Sequence, residues 1–463
     1  MDYKKIVPVV SLIMAQCTWS GAAIAADGIR INDVQIVTGD EEADATTTEI
    51  LGLRGGYVHP YLSVRGEYTD NLYNVGIDEK NDFLTVVSPG IWFATPAVGE
   101  TPITITPHNT ASGGLRLGVQ EKESFDRFQA YLLGGWDVEF YSQESDLNAT
   151  NYRFEGMLQF NLRGGLSLRV LDRYARDQDR FDINSFTLQD VNVNPIGEVS
   201  LSEPSNVRRF KNNLGSATLN WDMSEKFTAR ADYTNFYLDY DNTEDDFLNR
   251  TDNSLGAHLY YNYSPKTSVF TEYRYVDADY KDVDDQDNQQ NFVYGGVDWK
   301  ATAKTSLMAK AGYQNKSYDD DELDSQDTFT FGLAGDYRVT EKTGLSLSLY
   351  KALEASDSVD YSGKDTTMVK VGYEQKIYNR FVGLVDFWYS HENYDQNTSS
   401  VDFNQLLSGD RKDDRYYVKA SLQYVFLDWL MAEASYSYDN RDSTRELYEY
   451  NTNTVMFSLN SAL

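Results

Sequence analysis

A tight polar turn followed by strict alternation recurs about every forty residues, in NWDMSEKFTARADY (220–233), YNYSPKTSVFTEYRY (261–275), DWKATAKTSLMAKAGY (298–313) and DYRVTEKTGLSLSLY (336–350). In 343–350, Leu345, Leu347 and Leu349 point one way while Ser346, Ser348 and Tyr350 point the other. In 227–233, Phe227, Ala229, Ala231 and Tyr233 oppose Thr228, Arg230 and Asp232. A period of two is the signature of a strand with two unlike faces, and helical three-and-four spacing dominates none of these segments.

The connections alternate as well. Short ones sit at Arg163-Gly164, Met223 to Lys226, Ser264 to Lys266, Ala301 to Lys304, Val339 to Lys342, Ile377 to Asn379 and Leu427-Asp428. Between them lie longer acidic stretches at 241–250, 280–288, 318–326 and 393–412, and the longest connection at 176–206. Short and long in strict turn predict an all-β, up-and-down antiparallel meander with its turns at one end and its loops at the other. Strands are predicted at 56–68, 82–93, 127–141, 152–163, 165–176, 208–222, 227–240, 252–263, 267–279, 289–300, 305–317, 327–338, 343–354, 364–376, 380–392, 413–425, 428–440 and 449–460. That is about 18 strands, a count within the even-numbered range of transmembrane β-barrels. Sixteen is the alternative count, because 96–126 reads either as a folded insert or as an extra hairpin.

A barrel that spans a membrane hides its apolar surface in every second residue, so bulk hydropathy does not reveal it. The 463 residues carry a formal net charge of −31, and no run of eighteen apolar residues signals a membrane helix. A soluble sandwich or propeller is the rival, but strands of 12–15 residues exceed the roughly 5–6 common in globular sheets. The chain also has 35 Tyr, many near strand ends: Tyr260, Tyr261, Tyr263, Tyr273, Tyr275, Trp388, Tyr389, Trp429, Tyr436 and Tyr438. Tyr and Trp suit a membrane–water interface, with an apolar body and a polar tip. Because the strands exceed the roughly 9–11 residues that cross hydrocarbon, the ladder is expected to continue past the membrane on the loop side.

The N-terminus reads as a secretory leader over 1–25: basic Lys4 and Lys5, apolar Ile6 to Met14, and Ala23-Ile24-Ala25 as a small-x-small site, so cleavage is expected near Ala25-Ala26. Lipidation at Cys17 is the alternative, although Gln16 stands where a small residue is expected. Cys17 is the only cysteine and leaves with the leader, which removes disulfides and thiolate chemistry from the mature chain. Residues 26–54 are acidic and Thr-rich and read as a periplasmic segment; 55–463 is read as the outer-membrane barrel.

The acidic balance argues against nucleic acid as a partner. His59, His108, His258 and His391 are too far apart for zinc-type spacing, and no metal site or cofactor is expected. The acidic loops YKDVDDQDNQ and YDDDELDSQD offer carboxylates to Ca²⁺ but lack the glycine turn of an EF-hand. Solvated loops are the plainer reading, with divalent ions bridging them to surrounding lipopolysaccharide as the softer one. No nucleophile motif stands out and no enzyme is expected; a Ser–His pair assembled from separate strands, with His258 or His391, is the remaining catalytic reading. The candidates for function are charged side chains on the inward face: Arg169, Arg173, Arg230, Asp232, Glu272, Arg274, Lys310, Asp386 and Glu433. Charges inside a barrel tune which solutes pass, or simply pair across strands and keep the wall wet.

The stretches HPYLSVRGEYTDNLY (59–73) and DFLTVVSPGIWFATP (82–96) resemble the opening hairpin of a bacterial outer-membrane β-barrel porin family whose members occur with exopolysaccharide secretion systems. The resemblance rests on Tyr61, Thr69-Asp70-Asn71, Tyr73 and Ser88-Pro89-Gly90, and FEGMLQFNLRGGLSLRVLDRY (154–174) is similar to its middle hairpin. The chain departs from the usual outer-membrane ending: Val455, Phe457 and Leu459 alternate, but the last residue is Leu463 and not an aromatic. The resemblance implies a passive conduit for an exopolysaccharide cargo, with periplasmic export machinery as a partner. A general or selective diffusion porin and a structural or adhesin-type barrel are the alternatives.

Overall fold

The computed structural model describes residues 57–76, 79–95, 127–179, 208–281, 286–320, 323–354, 361–378, 380–396, 410–427 and 430–462. The leader over 1–25, the segment 26–54, the stretch 96–126 and most of the connection 176–206 lie outside them.

Eighteen strands follow one another: β1 (Val58–Thr69), β2 (Asp82–Thr95), β3 (Phe128–Tyr141), β4 (Ala149–Asn161), β5 (Leu166–Asp179), β6 (Arg208–Asp222), β7 (Phe227–Tyr240), β8 (Arg250–Ser264), β9 (Thr267–Tyr280), β10 (Asn288–Thr302), β11 (Thr305–Tyr318), β12 (Gln326–Thr340), β13 (Thr343–Glu354), β14 (Tyr361–Tyr378), β15 (Phe381–Gln396), β16 (Arg411–Leu427), β17 (Leu430–Ser443) and β18 (Tyr450–Ala462). Each pairs antiparallel with its successor, and β18 pairs back to β1, so the sheet closes without an edge. The described residues form eighteen strands, and the predicted ends of β6, β7 and β13 agree residue for residue. At β14 and β15 pairing continues past the predicted ends, to Tyr361↔Gln396. There the outward residues turn polar, so the apolar alternation fades before the ladder does.

The recurring turn has a chemical basis. In Ser224-Glu225-Lys226, Ser264-Pro265-Lys266, Thr302-Ala303-Lys304 and Thr340-Glu341-Lys342, the Lys backbone N–H donates to the hydroxyl two residues earlier, at 3.3, 3.2, 3.0 and 3.1 Å. The hydroxyl satisfies a donor that the tight turn would otherwise leave to solvent. The Lys carbonyls then accept from the backbone N–H of a neighbouring hairpin: Asn262 to Lys226, Lys300 to Lys266, Arg338 to Lys304 and Lys376 to Lys342, each at 2.8 Å. The turns are thereby laced into a continuous rim. At 163–165 Gly164 and Gly165, at φ of +81° and +75°, take the left-handed conformations that close the turn from β4 to β5.

The outward face carries an apolar belt: Leu219 and Trp221 on β6, Leu255 and Leu259 on β8, Val293 and Trp299 on β10, Leu345 and Leu347 on β13, Phe457 and Leu459 on β18. Its upper limit is drawn by tyrosines that donate diagonally to an asparagine on the next strand: Tyr233 to Asn253 at 2.8 Å, Tyr273 to Asn291 at 2.8 Å and Tyr436 to Asn453 at 2.7 Å. Each ring thus lies against the belt while its hydroxyl meets a polar group one rung higher, as an interfacial aromatic does. Above that line the outward face is charged: Arg176 and Lys211 hold Asp241 at 2.7 and 3.1 Å, and Lys281 reaches Asp239 at 3.2 Å. Trp388 and Tyr260 depart from the interfacial role expected of them. Trp388 is buried on the inward face, stacked on Tyr417 with centroids 5.6 Å apart, and Tyr260 packs against the same inward cluster. Nearness to a strand end was the wrong guide; parity decides the face, and both share it with Asp386 and His258.

Candidate functional site on the inward face

Register brings five of the nine candidate residues into one cluster. Residues two apart share a face, and the pairings Arg230↔His258, His258↔Glu272 and Gly296↔Lys310 align β7 to β11 so that these side chains meet. Asp232 is the acceptor at one end. It receives Arg274 at 3.1 Å, faces His258 Nε2 at 3.1 Å and has Arg230 at 3.6 Å. Glu272 is the acceptor at the other end, with Lys310 Nζ at 3.0 Å, Arg274 Nε at 3.6 Å and His258 Nδ1 at 3.9 Å. Arg274 also donates to Ser254 Oγ at 2.9 Å, and the Lys310 ammonium sits 3.7 Å from the Tyr294 ring centroid. A Cβ at Gly256 would lie 2.5 Å from Asp232 Oδ2 and 2.8 Å from Arg274 Nη2, so a glycine is what lets the two meet.

The other four candidates occupy separate stretches of the wall. Arg169 on β5 donates twice to Gln159 Oε1, at 3.0 and 2.7 Å. Arg173 lies two rungs higher beside Glu155, whose carboxylate also accepts from the Tyr131 hydroxyl. Asp386 on β15 and Glu433 on β17 share a neighbourhood with Lys370 and Lys419. Glu433 accepts from Gln423 at 3.1 Å and has Lys419 at 3.9 Å. Asp386 Oδ1, Glu433 Oε1 and the Trp388 indole nitrogen have no hydrogen-bond partner among the described residues. All nine candidates are buried except Arg274, which is partly buried.

Alternation alone left out a second tier near the loop end. Arg411, Arg415 and Lys419 lie four residues apart on β16, hence on one face, although none was singled out. Arg411 Nε holds Asp413 at 3.0 Å and its guanidinium lies 3.5 and 3.9 Å from the rings of Tyr448 and Tyr394. Arg441 approaches the same Asp413 at 3.4 Å. Arg415 donates to the Tyr450 hydroxyl at 2.7 Å and lies 5.4 Å from the Trp388 ring, while Lys364 pairs with Glu392 at 3.3 Å. Taken together, the buried residues among those described include twelve Lys or Arg against fifteen Asp or Glu. The inward face is therefore close to balanced in charge, and most of the −31 resides elsewhere. Of the two histidines that kept a catalytic reading open, His258 is buried between two carboxylates, and His391 faces outward against Asp414 at 2.9 Å.

Residues 113–462 match the model of a protein family described as Putative beta-barrel porin 2. The opening hairpin, with its TDN and SPG steps, lies ahead of the matched region. No curated protein matches the chain. Among solved structures, the chain is similar to OccAB4 of Acinetobacter baumannii at 11% identity, covering 89% of this chain and 100% of that one with a TM-score of 0.43. It is also similar to OccK2 (OpdF) of Pseudomonas aeruginosa at 10% identity, covering 88% and 98% with a TM-score of 0.44. The siderophore receptor PirA of Pseudomonas aeruginosa matches at 9% identity, covering 88% and 80% with a TM-score of 0.41.

Proposed function

The chain belongs to the Putative beta-barrel porin 2 family, and from that premise we propose that this outer-membrane barrel is a passive conduit whose cargo is an exopolysaccharide. The family points to a channel rather than an enzyme. The observation that supports a carbohydrate cargo is the balanced charge of the inward face, where acids and bases are paired at contact distance and cations lie on aromatic rings. A wall of that kind offers hydrogen bonds and aromatic faces without a strong net field, so a polyhydroxylated chain is held weakly and released, as transport requires.

In this reading the nine wall residues tune passage, the leader is cleaved near Ala25-Ala26, residues 26–54 form a periplasmic segment, and the acidic loops face lipopolysaccharide through divalent ions. Deleting the gene in its source organism and measuring cell-surface polysaccharide tests the cargo. Loss of surface polymer, restored by the intact chain, is the expected result; unchanged polymer refutes it.

A selective diffusion porin for small solutes is the second reading, favoured by the Arg230–Asp232–Arg274–Glu272–Lys310 cluster, a fixed set of opposite charges that could sort small ions. Conductance in planar bilayers with charge reversal at Arg230 and Arg274 separates the two. A changed ion selectivity with unaltered surface polymer supports the porin; unchanged selectivity removes the cluster from any filtering role.

A further inference from the structure

The hydroxyl in each recurring turn explains its Ser or Thr, yet nothing in the backbone chemistry requires the Lys. Its N–H and C=O are both used, and any residue supplies those. What Lys adds is an exposed ammonium, and the feature runs on through six consecutive short connections: Arg163 (β4 to β5), Lys226 (β6 to β7), Lys266 (β8 to β9), Lys304 (β10 to β11), Lys342 (β12 to β13) and Arg380 (β14 to β15). All six are exposed, and none forms an ion pair among the described residues. Glu225 and Glu341 are the acids that share these turns, whereas acidic runs such as DNTEDDFLNR and YDDDELDSQ lie at the opposite end of the barrel.

We propose that this arc of six turn cations is a docking surface for the phosphates of anionic phospholipids in the periplasmic leaflet. Three considerations converge on that partner. Short turns of such barrels face the periplasm. The outward aromatics Trp221, Phe227, Trp299 and Tyr337 stand within about five residues of the cations, so the ammonium groups emerge at headgroup depth and not far into the aqueous space. The turns are two strands apart, or roughly 10–12 Å along the rim, close to the Debye length at ordinary ionic strength, so each cation meets its own phosphate nearly independently.

The test uses the full chain folded into phosphatidylcholine vesicles that contain, at equal mole fraction, either brominated phosphatidylglycerol or brominated phosphatidylcholine. Trp221 and Trp299, which point outward beside the turns, report local bromine by quenching. The wild type should show stronger quenching by phosphatidylglycerol, with an enrichment of up to about fivefold per engaged cation, and should lose it in 1 M salt. The variant in which all six cations are replaced (Arg163→Gln/Lys226→Gln/Lys266→Gln/Lys304→Gln/Lys342→Gln/Arg380→Gln) should quench equally with both lipids while still running as a folded, heat-modifiable band. Equal quenching in the wild type overturns the proposal without any variant having to fold. So does a preference that survives high salt or the six substitutions, or capture of a soluble acidic polymer by the rim in place of lipid selectivity. None of these outcomes depends on which solute the barrel passes.

Discussion

Replacing Glu272 with Gln keeps the shape of the side chain and removes the charge between Lys310 and Arg274. At an effective dielectric near 20, a contact of 3.0 Å corresponds to about 5.5 kcal/mol of attraction and one of 3.6 Å to about 4.6 kcal/mol. The cost of withdrawing three ions from water offsets much of that sum, which is why the intact pair is worth far less than the Coulomb figures. That cost does not fall when only one partner is neutralised. Lys310 and Arg274 stay in place with one acceptor fewer, so Glu272→Gln should destabilise the barrel by about 3–5 kcal/mol. Lys310→Met should be similarly harmful alone. The double variant should be better than the sum of the singles by about 2 kcal/mol, since each change removes the group the other left behind. Urea titration of the chain in phospholipid vesicles, followed by tryptophan emission in both directions, measures all three. Additive losses, or a Glu272→Gln barrel within about 0.5 kcal/mol of wild type, would refute the claim that the cluster acts as one unit.

Gly256→Val should be worse than a nearby outward substitution such as Ala257→Val, because any Cβ at 256 meets Asp232 Oδ2 at 2.5 Å; the fraction of folded, heat-modifiable protein reads this directly. Tyr233→Phe, Tyr273→Phe and Tyr436→Phe should each cost about 0.5–1.5 kcal/mol in the same urea assay, the worth of a hydrogen bond with the ring left in place. Asp241, beyond the end of β7, is pulled two ways: burial raises its pKa, and the hydrogen bonds from Lys211 and Arg176 outweigh that and hold it below its ordinary 3.8. A carboxyl with a lowered pKa contributes its full stability above the ordinary value and loses it as pH falls through the lowered one. The protection factor of the backbone amides over residues 241–249, taken relative to the intrinsic exchange rate at each pH, should therefore be constant from pH 7 down to about 4 and fall below 3.8, and Asp241→Asn should abolish that acid step.

The fold was legible because its rule is local. A two-residue period and a turn every second strand are visible in a single chain, and β6, β7 and β13 could be bounded to the residue. The wall was legible only as a parity. Arg230 and Glu272 could be assigned to one face, but that both bracket His258 depends on the register of three strands, set by turn lengths and by the extra residue at Asn262/Ser264. The loop-end tier was missed for a related reason. Arg411 sits at the end of the stretch 393–412 that reads as solvated loop, and only continuation of the ladder to Arg411 turns it inward, whereas Arg415 lies within the predicted strand 413–425 and was missed as an inward charge. Trp388 and Tyr260 were read as interfacial because aromatic chemistry at a strand end suits a membrane–water boundary, yet it suits a cation on the inner wall equally well.

The short motifs of the opening hairpin acquire a different meaning where the barrel closes. Asn453 donates its backbone and side-chain amides to Asp70, both at 2.7 Å, and Asn71 reaches the carbonyls of Val75 and Asn451 at 2.7 and 3.1 Å. Asp70 and Asn453 are 383 residues apart in the chain. Until β18 arrives, β1 is an unpaired edge, open to any other strand it meets. A chain truncated before β18 keeps that edge of β1 open and should accumulate as a sheet that pairs with its neighbours. The TDN step is, in that sense, a catch at one end of the chain for a latch at the other.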